Sequence, residues 1–121
     1  MPNIFDFDRL YRRKATGVGV DGEIVRVYLE KVKAKTLRCL THVTAENTTD
    51  DYDLLRIGIE NTGARYYLDE LVSPTEDELA VCRSEILLGE GDRFFAEFDS
   101  AATGSQLILT AIGWTKDLKG K

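Results

Sequence analysis

The chain has 121 residues, 43% hydrophobic and 31% charged, which suits one globular domain and argues against disorder. Its net charge of −5 is unevenly placed: residues 1–38 hold nine Lys/Arg against five Asp/Glu (+4), residues 39–121 seven against sixteen (−9). An acidic body is a poor grip for nucleic acid, which is not an expected partner, and no apolar run reaches the ~18 residues a membrane span needs.

The opening segment, MPNIFDFDRLYRRK, lacks the apolar stretch of an export signal, so an intracellular protein is expected. Residues 1–22 interleave Ile4, Phe5, Phe7, Leu10 and Tyr11 with Asp6, Asp8, Arg9, Arg12, Arg13 and Lys14. At helical spacing Phe7, Leu10 and Tyr11 share a face, and Gly17, Gly19 and Gly22 form a hinge into the first strand of the body. This predicts an arm that docks either on its own domain or on a neighbour. As a subunit contact, Phe5, Phe7, Leu10 and Tyr11 would be its apolar anchors. Arg9, Arg12, Arg13 and Lys14 would pair with a neighbour's acidic surface.

Beyond the glycines the period is two, the signature of half-buried strands. Val25, Val27 and Leu29 alternate with Arg26, Tyr28 and Glu30; Leu37, Cys39, Thr41 and Val43 alternate with Arg38, His42 and Thr44. Leu55, Ile57 and Ile59 alternate with Arg56, Gly58 and Glu60, and Tyr66 and Leu68 with Arg65 and Asp69. Asn61-Thr62-Gly63 between these two runs reads as a tight hairpin turn. Residues 74–81 carry Pro74 and an acidic first turn, predicting a short helix or a loop. Phe94, Ala96 and Phe98 alternate with Arg93, Glu97 and Asp99, after a break at Gly89–Asp92. Leu107, Leu109 and Ala111 close the series; Ile108, Ile112 and Trp114 oppose them, so this strand should be central or covered. The whole predicts an all-β domain, a single antiparallel β-sandwich (jelly-roll-like) or small barrel, over residues 23–116. The arm at 1–22 precedes it and a polar tail occupies 117–121.

No motif for nucleophilic catalysis, nucleotide binding or zinc hydrolysis is present, so no enzyme and no cofactor is expected. One histidine, His42, excludes a multi-histidine metal site, and it reads as an exposed or satisfied strand residue. The acidic loop with Asp50, Asp51 and Asp53, near Glu46, offers oxygen ligands but lacks EF-hand spacing, so no metal site is assigned. Cys39 and Cys82 read as small buried hydrophobes, with a disulfide left open. Lys31, Lys33, Lys35 and Arg38 are the one basic cluster of the β body.

Five runs taken in order carry a resemblance: TLRCLTHVTAEN (36–47), LLRIGIE (54–60), LGEGD (88–92), RFFAEFD (93–99) and QLILTAIGW (106–114). Together they resemble the small β-sandwich structural proteins of tailed bacteriophages. The resemblance implies a non-enzymatic virion component, a head-decoration (cement), head-to-tail or tail-accessory protein. It would assemble in the host cytoplasm as a homo-oligomer and pack on other virion proteins through its arm and a sheet face. The alternative is a free-standing carbohydrate- or peptide-binding sandwich, with Tyr66, Tyr67 and Trp114 lining its site.

Overall fold

The computed structural model describes residues 9–49, 51–72, 74, 80–82 and 85–118. The described residues form nine strands: β1 (Arg9–Val18), β2 (Ile24–Tyr28), β3 (Thr36–Asn47), β4 (Leu54–Asn61), β5 (Ala64–Val72), β6 (Ala80–Cys82), β7 (Ile86–Leu88), β8 (Arg93–Asp99) and β9 (Gln106–Asp117). Two antiparallel sheets pack face to face, which settles sandwich against barrel. Sheet A runs β1-β9-β3-β6, with β7 also on β3, and sheet B runs β2-β8-β4-β5.

The core is the inward half of each alternation. Phe94, Ala96 and Phe98 of β8 meet Leu40, Val43, Ala45, Leu107, Leu109 and Ala111 of sheet A, with Val27, Leu55 and Ile57 completing the layer. Strand β9 is central, between β1 and β3, as its two apolar faces predict. The β4–β5 hairpin turns at Thr62 and Gly63, both at positive φ (47° and 87°), the primed turn that matches strand twist.

Three expectations change. The first concerns the arm: residues 9–18 are the edge strand β1, paired with β9 from Arg9↔Thr115 to Val18↔Gln106. Tyr11 and Leu10 therefore point to opposite sides, and Tyr11 is buried in the core while Leu10 is exposed. A two-residue period, Tyr11–Arg13–Ala15–Gly17 on the inner side, wins over the helical one. Gly17 is a packing position there rather than part of a hinge, since a Cβ would sit 2.8 Å from Val27 Cγ2. Phe5 and Phe7 lie outside the described residues, as do 75–79 of the suggested helix; residues 80–82 form β6.

The second concerns the phase of β3. Its pairing with β9 slips between Leu40 and His42, leaving Thr41 as an extra residue. A one-residue bulge exchanges the two faces of a strand. Before it Arg38 and Leu40 point inward and Leu37 and Cys39 outward; after it Val43, Ala45 and Asn47 point inward. The third concerns the basic cluster, which is divided: Lys31, Lys33 and Lys35 are exposed, whereas Arg38 is buried. Its guanidinium lies 4.2 Å from the Tyr11 ring centroid and donates to the Glu30 carbonyl.

Opposite Leu40, beside the bulge, β9 places Gly113. A Cβ at Gly113 would overlap the Cys39 carbonyl oxygen, and the other near atoms are Cys39 and Leu40 backbone, with no flexible side chain to give way. Gly113→Ala is expected to cost about 3 kcal/mol or more. Urea unfolding of the two chains compares them; an unchanged midpoint would show that β3 and β9 can separate there freely.

Candidate functional site

The outer face of sheet B is where side chains collect that the core does not need. Alternate registers align them in three rows across the strands of sheet B. One row reads Arg26–Glu97–Arg56–Glu70 and the next Tyr28–Phe95–Gly58–Tyr67. A third, lacking a β2 member, reads Arg93–Glu60–Arg65. An aromatic row thus lies between two rows of alternating charge.

Phe95 anchors it. Its neighbours Phe94 and Ala96 face the core, so Phe95 must face out, yet it is 0% exposed. Gly58, directly opposite, makes this possible: a Cβ there would meet the Tyr66 carbonyl oxygen and come within 3.1 Å of Phe95 Cζ. Tyr28 and Tyr67 flank the ring, each with its centroid 5.8 Å away and the latter edge-on at 80°.

The charged rows hold the tyrosines in place. Glu97, 3% exposed, accepts from Arg26 Nε (2.8 Å) and from the Tyr67 hydroxyl (2.9 Å) on one oxygen. Glu60 accepts from the Tyr28 hydroxyl (2.8 Å), Arg93 (2.7 Å) and Arg65 (3.2 Å). Arg56 pairs with Glu70 at 3.0 Å. The guanidinium of Arg93 stacks 3.7 Å from the Tyr28 centroid, and that of Arg56 lies 5.1 Å from Tyr67's. The Arg93 hydrogen bond, then that of Tyr28, holds the Glu60 carboxyl below its usual range. Four arginines face three glutamates and Asp99, which heads a further row, so the face is close to neutral. Tyr67 is 45% exposed and is the most open aromatic of this row.

The residues expected from sequence to line a saccharide or peptide site do not converge. Tyr67 belongs to this face, Tyr66 pairs with Ile59 on the other side of β5, and Trp114 lies on the outer face of sheet A. Of the expected interface set, Tyr11 is buried and donates to Glu30 at 2.9 Å. Arg13 also pairs with Glu30 (2.9 Å), and Arg9 with Asp117 (3.1 Å). Leu10, Arg12 and Lys14 project from the outer face of sheet A, with His42 on the same face opposite Ile112. Asp50 falls outside the described residues, and among those described no cluster of three His, Cys, Asp or Glu could hold a metal. Cys39 and Cys82 are free thiols on opposite sides of sheet A, Cys39 outward and Cys82 inward opposite Val43.

No protein-family model matches the chain, and no curated protein does. Among solved structures it is similar to a mannohexaose complex of a family 29 carbohydrate-binding module. The TM-score is 0.49 at 11% identity, over 93% of this chain and 82% of that one. It is also similar to the Podospora anserina GH26-CBM35 β-(1,4)-mannanase (0.48, 14%, 90% and 28%). A third is a Bacillus endospore appendage protein that forms disulfide-linked pili (0.46, 6%, 98% and 98%).

A carboxyl whose folded pKa is depressed stabilises the fold above its unfolded pKa of about 4.3, and that support fades as pH falls through the folded value. In a carbon-detected NMR titration Glu60 should lose its proton below the range of the exposed glutamates. Arg93→Gln should move it up toward them. No movement would mean that Arg93 does not hold the carboxylate.

Proposed function

We propose that the chain is a non-catalytic binding module whose outer sheet B face takes a neutral oligosaccharide. The observation that carries this reading is the Tyr28–Phe95–Gly58–Tyr67 row set between two rows of Arg and Glu. A sugar ring has apolar C–H faces and a rim of hydroxyls. It is recognised by aromatic surface flanked by polar groups of fixed direction. Here the aromatics are locked by Phe95 packing, and the guanidinium and carboxylate groups donate and accept along both sides. The near balance of charge gives no preference for an anionic or cationic ligand.

A second reading is the phage structural role implied by the sequence resemblance. The specific observation that favours it is apolar: Leu10, Ile112, Val81 and Leu87 lie exposed on the outer face of sheet A. Packing on a shell or on other copies would cover them.

Calorimetric titration with hexasaccharides of glucose, mannose and xylose tests the first reading. One of them should bind, and Tyr67→Ala should weaken that binding at least tenfold, about 1.4 kcal/mol, without lowering the melting temperature by more than a few degrees. Trp114→Phe should leave it unchanged. Absence of heat with all three sugars at millimolar concentration would count against the saccharide reading and leave the structural one.

A further inference from the structure

The long edge of sheet B is β5. Its nine residues pair with β4 on one side, and among the described residues no strand pairs with it on the other. Every residue from Ala64 to Glu70 is exposed, Tyr66 at 58% and Leu68 at 47%, and Val72 at the strand's end is 67% exposed. An edge of this length, with apolar side chains and no proline, is a template for another strand.

Two features of β5 decide which strand fits. Ile57 pairs with Asp69 and Gly58 with Tyr67, so Leu68 is an extra residue, a bulge. Residues five apart in a regular strand face opposite sides. Across this bulge Arg65 and Glu70 both face outward, where they pair with Glu60 and Arg56. The backbone follows the same phase. Asn61 and Ala64 flank the two-residue turn and exchange both hydrogen bonds. Ala64 and Tyr66 therefore turn their N–H and C=O to β4, and Arg65 and Tyr67 turn theirs away. Past the bulge Asp69 faces β4 and Glu70 faces away; the Glu70 N–H donates to the Asp69 carboxylate beside it (2.8 Å).

We infer that the free edge of β5 pairs antiparallel with β5 of a second copy, about a two-fold axis perpendicular to the sheet beside the Tyr67–Leu68 step. Arg65 then lies opposite the partner's Glu70 on the same face, their backbones turned toward each other, and symmetry makes the contact twice. The row Arg26–Glu97–Arg56–Glu70 runs on into the partner's Arg65, the partner's Glu60 and the partner's Arg93, its alternation of sign unbroken. A register two residues away sets Arg65 against the partner's Val72 and Glu70 against the partner's Tyr67, and the alternation stops at the edge. Self-complementary charge in one register is what selects a second copy over an unrelated strand. The inference does not rest on the saccharide reading, because strand pairing uses the edge and leaves the outer face open.

Sedimentation equilibrium of the full chain, from micromolar to several hundred micromolar, tests it. The expected species has twice the 13.6 kDa chain mass. Leu68→Lys, beside the axis, should weaken association at least tenfold, as should Arg65→Glu and Glu70→Arg singly. The double variant Arg65→Glu/Glu70→Arg should recover most of the loss, a recovery that the pairs with Glu60 and Arg56 within one chain cannot supply. Circular dichroism confirms that each variant folds. Hydrogen exchange reads the edge itself: the Arg65 and Glu70 amides should be protected at high concentration and exposed at low, and the Tyr66 amide protected at both. A wild-type monomer throughout the range, a double variant no better than the singles, or Arg65 and Glu70 amides that exchange alike at all concentrations would each overturn the inference.

Discussion

A two-sheet sandwich imposes one constraint on every strand: alternate side chains must fill the shared core, and the others must find another role. Here the inward set is apolar almost throughout, from Tyr11 on β1 to Leu107, Leu109 and Ala111 on β9. Keeping that set in phase requires local corrections. The bulge at Thr41 exchanges the faces of β3, and Gly113 lets the β9 backbone approach it closely. The outward set is then free to differ between the two sheets, and it does.

On sheet B the outward side chains bind one another. Phe95 reaches full burial without joining the core, because Gly58 leaves room beside it and two tyrosines close over its edges. Glu97 is nearly buried, a position that costs several kcal/mol for an unpaired carboxylate and is offset by two donors on one oxygen. Such a face is rigid before any ligand arrives, so binding loses little side-chain freedom. On sheet A the outward side chains of the row from Leu10 to Leu87 are largely apolar. One face is polar and bonded within itself; the other is richer in apolar side chains.

The strands were legible because their alternation is local. Runs such as Leu55–Ile57–Ile59 and Leu107–Leu109–Ala111 carry the β period without reference to anything distant. The hairpin at Thr62 and Gly63 and the central place of β9 were readable for the same reason. The rows were not, because a row is a property of register between strands far apart in the chain. Arg26, Arg56 and Glu97 lie far apart in the sequence, and only strand pairing sets them side by side. One signal was available: Phe94 and Phe95 are adjacent, and neighbours in a strand cannot share a face. A helical spacing for Phe7, Leu10 and Tyr11 competes in the sequence with a strand spacing for Tyr11, Ala15 and Gly17. Only the partner strand β9 decides between them.

Central to this account is the proposal that the outer face of sheet B recognises a ligand. Amide chemical-shift mapping of the labelled chain with a bound neutral oligosaccharide tests it most directly. Shifts should concentrate on Arg26, Tyr28, Arg56, Gly58, Tyr67 and Phe95, and leave β1 and β9 still. Shifts centred on Leu10, Ile112 and Trp114 instead would contradict the account.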